Sequence, residues 1–245
     1  MTFSTSSIFF PLPHIEAHPR RVRAYFGGQR LIDTRSAKLV WEMKYYPSFF
    51  FDQDELPERD LKLVEDTSSK AVYDIVVGET NASRSLTLFR TGDLKGLFTI
   101  RFGDMDHWFE EDEEVFVHPK CPFKRIDILQ SSCHVRVEIN GVEVANTRAP
   151  RFLYETMLPI RTYIPKVDCR LDLLEESSLT TQCPYKGEAN YYHVKLPAQE
   201  KAENVVWWYK TALPECASIK GYLAFYDEKV DVWIDGQRQS RPVWD

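Results

Sequence analysis

Motifs that would name a reaction are scarce in this chain. Its five cysteines, Cys121, Cys133, Cys169, Cys183 and Cys216, form no CxxC pair, so the usual zinc-knuckle spacing is absent. Their odd number and irregular spacing fit reduced thiols of a cytoplasmic protein better than a disulfide framework. His107, His118 and His134 lack the spacing of a metal triad, and the expectation is a protein without metal. A glycine-rich phosphate loop and a GxSxG elbow are both missing, and no cofactor is expected. No apolar run approaches the roughly 20 residues that cross a bilayer as a helix. The apolar stretch at residues 8–12 lacks the length and basic flank of a signal peptide. A formal net charge of −6 supplies no basic excess for tracking phosphates, so nucleic acid is not an expected partner. The longest acidic run, residues 110–114, reads as a solvated loop. Fourteen prolines disfavour long helices, and the best helical candidate is a short turn over 214–220.

What remains is a globular composition, 43% hydrophobic and 28% charged, long enough for two domains of ordinary size. The sequence repeats itself. Val22-Arg23 returns as Val135-Arg136, Gly28 as Gly141, Thr34-Arg35 as Thr147-Arg148 and Glu42 as Glu155, each 113 residues later. Phe50 falls on Tyr163 with the same spacing. A matched set of this length points to a gene duplication. The expected division is an N-terminal arm over 1–19, a first domain over 20–130 and a second over 133–245. Each copy opens like a β-hairpin: Val135, Val137 and Ile139 alternate with Arg136, Glu138 and Asn140, and Asn140-Gly141 is a two-residue turn signal. Gly27-Gly28 takes the place of that turn in the first copy. Residues 191–196 and 205–209 predict two further strands. Residues 222–226 and 230–234, rich in β-branched and aromatic side chains, predict a closing hairpin. The fold class expected is all-β, mainly antiparallel, with little helix.

The run Thr181-Gln182-Cys183-Pro184-Tyr185-Lys186-Gly187-Glu188-Ala189-Asn190-Tyr191-Tyr192 resembles the signature of domain-of-unknown-function family 427, which also carries a nucleotidyltransferase-like label. Thr147-Arg148 with Glu155, Tyr163-Ile164-Pro165 with Asp168, Trp207-Trp208-Tyr209, and Ala224-Phe225-Tyr226 with Val230-Asp231-Val232 extend the resemblance over about residues 133–236. The first copy is similar to the family more weakly, through Arg35, Glu42 and its hairpins. The resemblance implies two tandem β-tent-like domains, each a pair of antiparallel sheets leaning together over a pocket. Many β-tents hold zinc between two CxxC knuckles, which this chain does not have.

The second copy carries the chemical groups. Lys186, in a turn beside Tyr185, is a candidate anion binder or, with its pKa lowered by burial, a base or Schiff-base former; the bland alternative is a surface lysine in a tight turn. Glu155 is a candidate general acid/base, with Arg148 orienting a carboxylate. The bland alternative there is a structural Arg148–Glu155 ion pair, which recurrence as Arg35 and Glu42 favours. Tyr163, Tyr192, Trp207, Trp208 and Tyr209 are candidate pocket walls, although Trp207 and Trp208 must face opposite ways in a strand. Cys183 with His193 suggests a thiol and its base, but no third orienting group is evident, and a small buried cysteine is the preferred reading. The first copy has no counterpart of residues 183–187. The expectation is a metal-free acid–base enzyme, an isomerase, lyase or hydrolase, working in the second copy on a small, partly aromatic or anionic metabolite. The alternative is a non-catalytic module that binds a small ligand or peptide end with the same residues. Neither reading implies a membrane partner or fixes an oligomeric state.

Overall fold

The computed structural model describes residues 10–197 and 200–242. The first copy holds strands β1 (His14–Ala17), β2 (Val22–Phe26), β3 (Gln29–Thr34), β4 (Lys38–Trp41), β5 (Ser48–Asp52), β6 (Leu61–Asp66), β7 (Lys70–Val77), β8 (Thr80–Phe89), β9 (Leu97–Ile100), β10 (His107–Glu110) and β11 (Glu113–Val115). The second holds β12 (Ile126–Gln130), β13 (Val135–Ile139), β14 (Val142–Thr147), β15 (Arg151–Glu155), β16 (Arg161–Ile164), β17 (Leu174–Cys183), β18 (Gly187–Val194), β19 (Ala202–Ala212), β20 (Leu223–Phe225), β21 (Asp231–Ile234) and β22 (Gln237–Arg238). Helix among the described residues is confined to short 3-10 turns, of which Pro214–Ile219 is the longest.

Each copy builds one seven-stranded and one four-stranded antiparallel sheet, and the two copies have one topology. The larger sheets run β1-β4-β5-β9-β8-β7-β6 and β12-β15-β16-β20-β19-β18-β17. The smaller run β11-β10-β2-β3 and β22-β21-β13-β14, so every strand of the first copy has its counterpart eleven strands later. Registers repeat as well. Lys38 faces Phe50 as Arg151 faces Tyr163. The opening hairpins turn at Gly27-Gly28 and Asn140-Gly141, all four at positive φ as a type I′ turn requires. Both hairpins carry a bulge at one position, between Ala24 and Tyr25 and between Val137 and Glu138. Just before it, buried Ala24 pairs with buried Ile32, while buried Val137 pairs with buried Ala145. The duplicated, all-β, β-tent-like architecture read from the sequence is the architecture of the protein.

Alternation explains the cores. Val22, Ala24 and Phe26 point from β2 into a cluster with Phe49, Phe51, Phe98 and Trp108, between the two sheets of the first copy. Val135, Val137 and Ile139 do the same in the second, against Ile164, Val206, Leu223 and Phe225. Each fully buried Phe or Leu contributes roughly 1.5–3 kcal/mol. Buried Thr147 closes the lower end of its hairpin by donating to Asp168 Oδ2 at 2.6 Å and accepting from the Ala149 amide at 3.0 Å.

Four expectations change. The boundary falls between Cys121 and Pro122, not at 130–133, because Ile126–Gln130 pairs along Arg151–Glu155 of the second copy. The arm assigned to 1–19 contains β1, paired with β4; residues 1–9 of it, and 243–245 of the second domain, lie outside the described residues. The segments at 222–226 and 230–234 are not one hairpin: β20 joins the large sheet and β21 the small one. The acidic run is solvated at Glu111, Asp112, Glu113 and Glu114 as read, but it is a strand-turn-strand and not a loop, since Glu110 and Glu113 pair across a tight turn. Arginines neutralise it: Glu110 meets Arg20, Glu111 meets Arg35 and Asp112 meets Arg23.

Candidate functional site

The large sheet of each copy has a second face, turned away from its partner sheet. In the first copy that face is small and apolar: Val40, Phe50, Leu94 and Leu97, with Phe89. In the second it is broad and polar-tipped. Leu153 of β15, Tyr163 of β16, Ala189 and Tyr191 of β18, and Trp207 and Tyr209 of β19 form it, covered by Cys216 and Ile219 of the 3-10 turn. Tyr163 stands where the first copy has Phe50, and its added hydroxyl accepts the Trp207 Nε1 proton at 3.2 Å.

Glu155 ends β15 on this face, 8% exposed, and is held by two lysines. Lys186 Nζ donates to Oε2 at 2.5 Å and Lys124 Nζ lies 3.1 Å from Oε1. Lys186 is itself 8% exposed, so the surface-lysine alternative is overturned. Pro184, Tyr185 and Lys186 form the turn between β17 and β18, and Gly187 at φ +100 lets the chain press against the Thr211 carbonyl. This geometry drives the lysine inward. Lys186 Nζ also lies 3.9 Å from Cys183 Sγ. Burial opposes the ammonium, but the charges of Cys183 and Glu155 outweigh it and hold the Lys186 pKa above the ordinary lysine value. A lowered pKa, which a Schiff-base or free-amine role needs, is therefore not what the surroundings produce. Tyr185 is buried, with the Lys124 ammonium 5.3 Å from its ring centre. Burial pushes the Tyr163 and Tyr209 phenols up, and pushes the Cys216 thiol to about 11.

The remaining candidates separate. Trp207 and Trp208 face opposite sides, as a strand demands, and Trp208 joins Tyr192 in the inter-sheet core. There Lys166 lies over both rings, 4.9 Å from Trp208 and 5.2 Å from Tyr192, and donates to the Tyr192 hydroxyl at 2.8 Å. Tyr192 and Trp208 are thus not in one site with Glu155. Arg148 is exposed, and the carboxylate that feels its charge is Asp235. No Arg148–Glu155 pair forms, and the first-copy analogues follow suit: Arg35 meets Glu111, and Glu42 is exposed. His193 accepts the Asn204 amide, away from Cys183. The three histidines weighed as a metal triad are also occupied separately, His107 by Glu114, His118 by the Pro119 carbonyl and the Tyr46 ring, and His134 by Asn146.

Two parts of this face were not legible. Lys124 precedes β12, in a stretch the sequence reading gave to the first copy. A second charged group edges the aromatic cluster: the Arg161 fork binds both Glu228 oxygens at 3.0 and 2.6 Å and stands 3.7 Å from Asp227. Arg161 also lies 5.5 Å from the Trp207 ring centre. Desolvation raises Asp227 to about 7 despite Arg161, with Glu228 adding to the rise. Nothing in the local sequence marks this cluster, because Arg161 and the acids meet only through the sheet.

A family model described as a domain of unknown function (DUF427) matches residues 14–90 and 127–236, one stretch in each copy. No curated protein matches the chain. No helix among the described residues is long and apolar enough to cross a membrane.

Proposed function

The chain belongs to the DUF427 family, whose description assigns no reaction, and we propose from its side chains that the second copy is an acid–base enzyme site for a small, partly aromatic or anionic metabolite. The observation that carries this is the buried Glu155 carboxylate gripped by Lys186 and Lys124 beside Tyr163, Tyr209 and two thiols. Two ammonium groups against one carboxylate leave net positive charge in a half-dry place, which suits an anionic substrate. Glu155 takes the role of proton carrier. Lys186 and Lys124 hold the substrate anion, Tyr185 lies under Lys124, and Tyr163, Trp207 and Tyr209 form the aromatic wall. Isomerisation, elimination and hydrolysis all use such a set, and none requires a cofactor.

The test is a panel of small aromatic carboxylates and phosphate esters incubated with the full chain, with consumption followed by proton NMR. The wild type should consume at least one compound, and Glu155→Gln should slow it by about 10²–10⁴-fold, the usual contribution of a positioned acid or base. Melting curves accompany the assay, since removing one partner of a buried pair costs about 3–5 kcal/mol. Consumption unaffected in a folded Glu155→Gln chain ends the assignment. The second reading, a non-catalytic binding module, draws on one observation: Lys186 is held cationic rather than freed as a base. Panel compounds that raise the melting temperature of the wild type but are never consumed select it.

A further inference from the structure

Cys183 ends β17 opposite Gly187 and is half-buried. The turn that follows brings Lys186 back over it, Nζ to Sγ 3.9 Å. That ammonium is fixed in place on its far side by Glu155 Oε2, which shares its carboxylate with Lys124. The third, orienting group that the sequence did not supply for Cys183 is thus present, with lysine in the place expected of His193. The other ionisable groups coupled to this cluster are the Cys216 thiol, which is fully buried, and the Tyr163 and Tyr209 phenols. None of these three carries a positive charge, so the cation beside Cys183 Sγ is that of Lys186.

We infer that Cys183 is the nucleophile of this site, its sulfur held beside the Lys186 ammonium, and that it attacks a small electrophilic carbon compound. The thiolate, not the thiol, is the reactive form, and a neighbouring fixed cation favours it. The thiol proton leaves to solvent before attack. The sulfur lone pair then forms the S–C bond while the leaving group departs with the electrons of its own bond to carbon. Lys186 keeps its protons throughout and neutralises the thiolate; Glu155 positions Lys186. Cys216 shares the site but not the reactivity, because burial keeps its thiol protonated. The assignment rests on reading the second copy as the working one, and it names the chemical class of its substrate.

Iodoacetamide is the probe, with iodide as leaving group, and peptide mass spectrometry of the folded full chain reads each cysteine separately. Cys121 and Cys133, half-buried like Cys183, are the internal reference. At about pH 7, Cys183 should be alkylated about tenfold faster than either. Lys186→Gln should bring Cys183 down to the reference rate, and Lys186→Arg, which keeps the charge, should preserve most of the advantage. Melting curves show that each variant is folded; should Lys186→Gln not fold, the wild-type ratio and Lys186→Arg still decide. Alkylation of Cys183 at or below the rate of Cys121 and Cys133 in the wild type overturns the proposal. Because labelling needs no substrate, the two readings fail separately. Fast labelling without turnover of any compound sinks the acid–base enzyme and keeps the nucleophile, and slow labelling with Glu155-dependent turnover does the reverse.

Discussion

Asp227 is where this molecule should feel pH most. Its folded pKa of about 7 lies above the unfolded value of 3.8. Between those two pH values the folded chain holds a proton that the unfolded chain has released. Stability therefore falls as pH rises from about 4 to about 7 and has no further loss from this group above that. Asp227→Asn should flatten that part of the pH profile and raise the melting temperature at pH 8 relative to the wild type; unchanged melting curves at both pH 5 and pH 8 would show Asp227 ordinarily hydrated. At this scale the sequence was a partial guide. Glu155, Lys186, Tyr163, Trp207 and Tyr209 were read as candidates and do share one face. Arg148, Tyr192 and Trp208 were read as candidates and do not belong: Arg148 lies in the bend after β14, and Tyr192 and Trp208 alternate onto the opposite face from Tyr191 and Trp207, a choice of side that residue type alone does not reveal. Asp227 was not among the candidates, since its environment is made by Arg161 and the sheet between them.

Among the elements, the turn between β17 and β18 decides the site. In the first copy, β6 and β7 are joined by a turn over 67–69, where Thr67 Oγ1 bonds the Lys70 backbone, and no side chain is thrown inward. In the second, β17 is four residues longer and ends at Pro184-Tyr185-Lys186. Gly187 is its pivot: at φ +100, an added Cβ would come within 2.9 Å of the Thr211 carbonyl oxygen. Gly187→Ala should cost more than about 1 kcal/mol, for conformational strain and contact together. It should also displace Lys186 from Glu155. A chemical-denaturation midpoint equal to that of the wild type would mean that the backbone here relaxes freely. The hairpins with Asn-Gly and Gly-Gly were legible because a two-residue turn has local chemistry. The supposed hairpin at 222–234 was misread because composition marks both arms as strands without saying that the chain changes sheets between them.

Across the whole chain, the hydrophobic clusters are each drawn from one copy: two lie within residues 7–121 and two within 122–245. Each half should consequently fold alone. Fragments 1–121 and 122–245 should both give β-type circular dichroism and a cooperative melt, and a fragment that stays unfolded while the full chain folds would contradict this. The duplication itself was visible as a constant spacing of 113, but the cut was placed about ten residues late because β12 has no sequence likeness to β1. Matching registers carry a hazard for such a chain. In a refolding molecule the backbone of β2 fits β14 as well as its own β3, and β13 fits β3. The side chains forbid the exchange: Ala24 faces Ile32 in one hairpin, and Val137 faces Ala145 in the other. Mispaired, Ala24 would face Ala145 across a hole, and Val137 would crowd Ile32, each error costing about 1–3 kcal/mol. The small-to-large order, reversed between the copies, acts as a key that lets each half reject its twin.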